Sequence, residues 1–104
     1  MLARLMLGAL ALGLSANLPA AGNPDAGKTK AATCMGCHGI PGYTNVYPTY
    51  KVPKLGGQHA EYLVLALTAY KNGERDHKTM EAQASALSEQ DMADIAAFFS
   101  TSGR

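Results

Sequence analysis

Cys34-Met35-Gly36-Cys37-His38 decides how the rest of this 104-residue chain is read. Two thiols three positions apart lie about one helical turn from each other, so both can face the same flat ligand. The histidine that follows directly is carried beneath that ligand, where an imidazole nitrogen can bind a metal. Cysteines at this spacing also occur in thioredoxin-like redox pairs and as halves of zinc sites. A thioredoxin-like pair needs a β-α-β setting, and no alternation runs far enough along this chain to supply its strands. A structural zinc site needs two further well-spaced ligands, and His59 and His77 are not paired at short spacing. The pattern C-x-x-C-H fits covalent attachment of haem c, in which each thiol adds across a porphyrin vinyl group and the histidine ligates iron.

Upstream, Met1–Arg4 supplies a positive end, Leu5–Leu14 an apolar run, and Leu18-Pro-Ala-Ala21 small residues for cleavage. That order of parts predicts a secretory signal peptide over residues 1–21, cut after Ala20 or Ala21. A membrane anchor is the competing reading, but a spanning helix needs about 20 apolar residues and this run is half that. Export agrees with the motif, because haem is attached on the outer side of the bacterial inner membrane. The expected mature domain is residues 22–104, located in the periplasm.

A domain of this size buries a limited core and commonly needs a disulfide, a metal or a cofactor to stabilise it. Cys34 and Cys37 are the only cysteines, too close in sequence to brace distant parts of a fold. The formal charge is +1, with nine Lys plus Arg against eight Asp plus Glu; losing Arg4 with the signal leaves the mature side chains balanced. Without a basic block, nucleic acid is not an expected partner.

Along the mature chain, Asn23 and Pro24 form a helix start, and the helix is expected to run from about Asp25 towards Cys34. From Gly39 to Gly57 the chain is rich in Gly, Pro, Tyr and Thr, which predicts irregular loop. Tyr62, Leu63, Leu65, Ala66, Ala69 and Tyr70 recur at helical spacing before the stop signal Asn72-Gly73. A polar connection, Glu74–Thr79, leads to Met80. Ser88-Glu-Gln-Asp91 matches a capping box with Asp in place of Glu or Gln, and opens a helix with Met92, Ile95, Ala96 and Phe99 on one face. Phe98 widens that face. The expected fold is all-α, with three main helices.

The second axial ligand matters most for chemistry. Met80, in the polar stretch between two helices, offers a soft sulfur, and His/Met ligation raises the reduction potential. His77 is its competitor, and bis-histidine ligation would lower the potential. Met92 fits core packing better, and Met35 lies too near the attachment site to reach the other face of the ring. Gly56-Gly57 serves either a close approach to a flat ring or an ordinary turn. Tyr43, Tyr47, Tyr50, Tyr62 and Tyr70 are candidate pocket walls or amphipathic packing. Lys51, Lys54, Lys71 and Lys78 either ring a docking face for an acidic partner or are simply solvated.

Taken in order, the blocks resemble the class I c-type cytochromes, specifically the small single-haem bacterial ones. The resemblance runs from Gly27-Lys28 through Cys34–Gly39, Pro53–Gln58, Tyr62-Leu63, Asn72–Arg75 and Met80 to Leu87–Phe99. It implies the cytochrome c fold around one covalently bound haem c. Cys34 and Cys37 would then form thioethers, His38 would be the proximal iron ligand and Met80 the distal one. Pro53 is similar to the family proline whose carbonyl accepts a hydrogen bond from the proximal imidazole. Arg75 resembles an arginine that contacts a haem propionate, and the first and last helices would cross. Some relatives carry two haems, whereas this chain has one attachment motif. Others have an extra cysteine pair, for which no cysteines remain here.

These residues lead to the expectation of a single-electron carrier of the respiratory chain rather than an enzyme. A haem enzyme or gas sensor with an open sixth iron position is the alternative. The expected partners are redox proteins: a membrane-bound donor and a soluble or membrane-bound acceptor. The chain itself would not span a membrane after signal cleavage, and would act as a monomer or as a subunit of a redox complex.

Overall fold

The computed structural model describes residues 21–102, so nearly all of the expected signal peptide lies outside the described residues. Five helices and one two-stranded hairpin follow one another: α1 (Pro24–Lys30), α2 (Met35–His38), β1 (Thr44–Asn45), β2 (Tyr50–Lys51), α3 (Ala60–Lys71), α4 (Lys78–Ala84) and α5 (Glu89–Thr101).

Helix α1 starts where the sequence places it. The Asn23 side-chain oxygen accepts the N–H groups of Asp25 and Ala26 at 2.9 and 3.1 Å, and Pro24 takes the first helical position. Helix α5 opens with the expected capping box. Ser88 Oγ accepts the Asp91 N–H at 3.0 Å and the Asp91 carboxylate accepts the Ser88 N–H at 2.9 Å.

Met92, Ile95, Ala96 and Phe99 are all buried, as one face of α5 should be in a helix lying on a core. Helix α3 ends at Lys71 with Asn72 as its C-cap, just ahead of Gly73, at the expected stop signal.

The two terminal helices pack against each other, and α3 packs against both α5 and α4. Gly27 makes the α1–α5 crossing possible. A Cβ at this position would stand 1.9 Å from the Asp94 carbonyl oxygen, so only a bare Cα fits. Beside the crossing, the Asp94 carboxylate accepts the backbone N–H of Asn23 at 2.8 Å, Lys30 Nζ at 2.7 Å and Gln90 Nε2 at 2.9 Å. Those three donors offset the cost of burying a charged group at the crossing. Above the crossing, Ala31, Leu63, Ile95, Ala96 and Phe99 form the core cluster.

Three local features differ from the sequence reading. Helix α1 stops at Lys30 rather than near Cys34, and a turn over 31–34 separates it from α2. The Ala31-Ala32 pair carries no stop signal, and the break falls where Ala31 is fully enclosed by the core cluster. The loop after Gly39 contains a hairpin, with Thr44 opposite Lys51 and Asn45 opposite Tyr50. Two-residue strands are too short to leave an alternating pattern. Their turn is fastened instead by side chains, with Asn45 Nδ2 donating to Pro48 O at 2.7 Å and Thr49 Oγ1 to Val46 O at 2.8 Å. Finally, Met80 lies within a helix, α4, whose single buried residue, Ala84, gives no periodic stripe to detect.

Candidate haem-binding site

Helix α2 is a single turn that gathers the attachment motif. The His38 N–H donates to Cys34 O at 2.8 Å and the Cys37 N–H to the same oxygen at 3.2 Å. This places Cys34, Cys37 and His38 on one turn, as the three-residue spacing demands. Both cysteines are half-buried. Burial pushes the Cys34 thiol above its ordinary pKa, against a smaller opposing effect of the Thr33 side chain.

His38 is oriented from behind. Its Nδ1 lies 2.8 Å from the carbonyl oxygen of Pro53. A carbonyl can only accept, so Nδ1 carries the proton and donates it, which leaves the Nε2 lone pair free for a metal. The ring also meets Phe99 of α5 edge-on, with centroids 6.4 Å apart.

Facing this turn is a cavity of about 510 Å³. Its apolar lining comes from the loop before α3 (Leu55), from α3 itself (Leu63, Ala66, Leu67) and from α5 (Ile95, Phe99). Cys34, Cys37, His38, Pro53, Arg75 and Met80, the six residues singled out in the sequence, all line it. His77, the competing ligand, does so too.

The Arg75 guanidinium lies 4.7 Å above the Tyr70 ring at the cavity wall, a cation–π contact. Of the five tyrosines, Tyr50, Tyr62 and Tyr70 line the cavity, while Tyr47 is 93% exposed and Tyr43 lies elsewhere. Gly56-Gly57 belongs to a turn. Gly57 has φ +81° and its N–H donates to Phe99 O at 2.9 Å, tying the loop to α5. Lys51 and Lys54 border the cavity and are exposed.

Sequence reasoning missed the role of His77 at the start of α4. Its Nδ1 accepts the Met80 N–H at 3.4 Å. No local signal marks it, since histidine is not a favoured helix cap.

A largely apolar cavity with two thiols and an oriented imidazole on one turn, and a thioether sulfur among its walls, suits the donor set of haem c. The cytochrome c family model matches residues 24–102. The chain belongs to the cytochrome c family. Its cofactor is therefore covalently bound haem c, with iron.

This cytochrome is 42% identical over 92 residues to cytochrome c4 of Pseudomonas aeruginosa, a match covering 88% of this chain and 44% of that protein. It is also 42% identical over 84 residues to cytochrome c-554(548) of Halomonas halodenitrificans, covering 78% of this chain and 98% of that one. Among solved structures, cytochrome c4 of Acidithiobacillus ferrooxidans superposes with a TM-score of 0.58 at 29% identity, over 79% of this chain and 52% of the other. The chain thus spans about half the length of the cytochrome c4 relatives and nearly all of the Halomonas protein. Among the described residues, no helix is long and apolar enough to cross a membrane.

Proposed function

We propose that this cytochrome is a periplasmic single-electron carrier with one haem c held by His/Met axial ligation. The observation that carries the reading is that His38, with its Nδ1 engaged by Pro53, and Met80 line the same cavity as both thiols. Haem c supplies an iron that changes valence by one electron. The chain's own residues do the rest. Cys34 and Cys37 would hold the ring through thioethers, and His38, on the same turn, would supply a ligand to its iron. The Pro53 carbonyl holds the imidazole in one tautomer and raises its basicity as a ligand. The Met80 sulfur would be the second protein ligand to the iron, and a thioether ligand favours the ferrous state and raises the potential. With both ligands supplied by the protein, the iron would have no open position for a substrate, and electron transfer would require little rearrangement. Arg75, stacked on Tyr70 at the cavity wall, is placed to meet a propionate.

Residues 1–21 act as a cleaved signal, so that attachment occurs outside the inner membrane. The redox partners are a membrane-bound donor and a soluble or membrane-bound acceptor, which dock transiently near the exposed Lys51 and Lys54. The cytochrome works as a monomer or as one subunit of a redox complex.

The deciding experiment is the absorption spectrum of the ferric holoprotein. A weak near-red charge-transfer band, lost in Met80→Ala, is the expected result. A high-spin spectrum in the unsubstituted protein, with ready binding of carbon monoxide after reduction, would replace the carrier with an enzyme or sensor.

A further inference from the structure

Helix α4 carries Met80 but has little of its own to hold it in place. It is seven residues long, buries only Ala84, and has α3 as its sole helix neighbour among the described residues. Its first turn is held instead by side chains. His77 occupies the N-cap position in an extended conformation (φ −164°, ψ 108°), and its Nδ1 accepts the Met80 N–H. At 3.4 Å this bond is long. On its own it would leave the ring free to turn.

Two tyrosines pack against the ring. Tyr50, from the hairpin, meets the His77 ring edge-on with centroids 4.6 Å apart, and Tyr70, from α3, meets it at 6.5 Å. The Tyr50 hydroxyl also donates to Thr79 Oγ1 at 3.3 Å, tying the hairpin to the residue next to Met80. Hairpin, α3 and α4 therefore meet on one imidazole, whose Nδ1 lone pair is already engaged by the backbone.

The geometry points to His77 as the positioning residue for Met80: a side-chain cap, braced by Tyr50 and Tyr70, that fixes the first turn of α4 and hence the place of the sulfur. This rests on Met80 being the distal ligand. In this role His77 lines the cavity without binding iron. It acts by making the sulfur harder to displace. A slack first turn would let an outside ligand compete for the axial position, although the sulfur itself is unchanged.

The test is the affinity of the ferric holoprotein for added imidazole, read from the loss of the near-red band. It is made at a temperature where far-ultraviolet circular dichroism shows every variant fully folded. His77→Ala is expected to retain the band but to bind imidazole on the order of tenfold more tightly, the scale of a lost helix cap. His77→Asn, whose side-chain oxygen is a favoured cap, should return the affinity to within about threefold of the unsubstituted protein. Unsubstituted affinity in His77→Ala would overturn the proposal, as would an equal tightening of imidazole binding in both variants. Loss of the low-spin spectrum in His77→Asn would overturn it by making His77 the ligand. Failure of the Met80 reading looks different: the unsubstituted protein would lack the band and Met80→Ala would change nothing, whatever His77 does.

Discussion

At the scale of single residues, small size and hydrogen-bond direction matter more than bulk. Gly27 shows the first. The 1.9 Å separation between a Cβ placed there and the Asp94 carbonyl cannot be relieved by turning a side chain, because the obstacle is backbone. Gly27→Ala should force α1 and α5 apart and cost about 3 kcal/mol, the upper part of the range for overpacking. In a domain of this size that corresponds to a fall in melting temperature of well over 10 °C, roughly 4–8 °C for each kcal/mol. Thermal denaturation followed by circular dichroism checks it, and a melting temperature within a few degrees of the parent would show that the crossing yields. Hydrogen-bond direction is decisive at His38. Because Pro53 offers a carbonyl, the tautomer is set by chemistry alone, and Nε2 is the nitrogen left with a lone pair to ligate.

Among the elements, the α1–α5 crossing carries most of the electrostatics. Lys30 bridges Asp91 at 2.8 Å and Asp94 at 2.7 Å, joining the last turn of one helix to the first half of the other. The Asn23 N–H first, then Lys30 and Gln90, hold the Asp94 carboxyl down at about 2, and Lys30 with the capping contacts of Ser88 does the same for Asp91. Both groups bind protons less readily folded than unfolded, where a carboxyl of this kind titrates near 3.9. Their stabilisation is therefore complete above about pH 4 and is lost as the pH falls from there through about 2. Melting temperature measured between pH 6 and pH 2 should drop along this limb. Asp94→Asn should start lower at neutral pH and fall less steeply, because one of the two carboxylates no longer titrates. An acid limb of unchanged steepness in that variant would mean that the stability lost in acid resides elsewhere.

For the whole molecule, the scarcity of core is the governing fact. Among the described residues the buried apolar ones are Ala31, Leu63, Ala84, Met92, Ile95, Ala96 and Phe99, three of them alanines. Against them stands a cavity of about 510 Å³ walled largely by side chains that need an apolar neighbour. Residues of α2, α3, α4 and α5 line that cavity, where a bound haem would supply apolar surface that the protein core lacks. A chain without covalent haem should not hold this fold. Cys34→Ala combined with Cys37→Ala, purified without bound haem, is expected to lose most of its helical circular dichroism and its cooperative thermal transition. A sharp transition in that haem-free protein would show that the protein core suffices.

The sequence by itself determined the chemistry and the two helix starts that rest on local bonds. The attachment pentad works through neighbours on one turn, Asn23 caps through N–H groups two and three residues on, and the Ser88–Asp91 box closes within four residues. The apolar face of α5 was legible for a related reason, since a helix lying on a core leaves its mark at every third or fourth position. Tertiary structure alone decided the break after Lys30, the short hairpin, the placement of Met80 in α4, and which tyrosines wall the cavity. It also set the meeting of Pro53 with His38, which only the family resemblance had suggested, and the braced position of His77. Each of these depends on partners far along the chain: Tyr50 and Tyr70 for His77, Leu63 and Phe99 for Ala31. Contacts of that kind leave no periodicity or local spacing to read, because their geometry exists only once the helices have closed around the cavity.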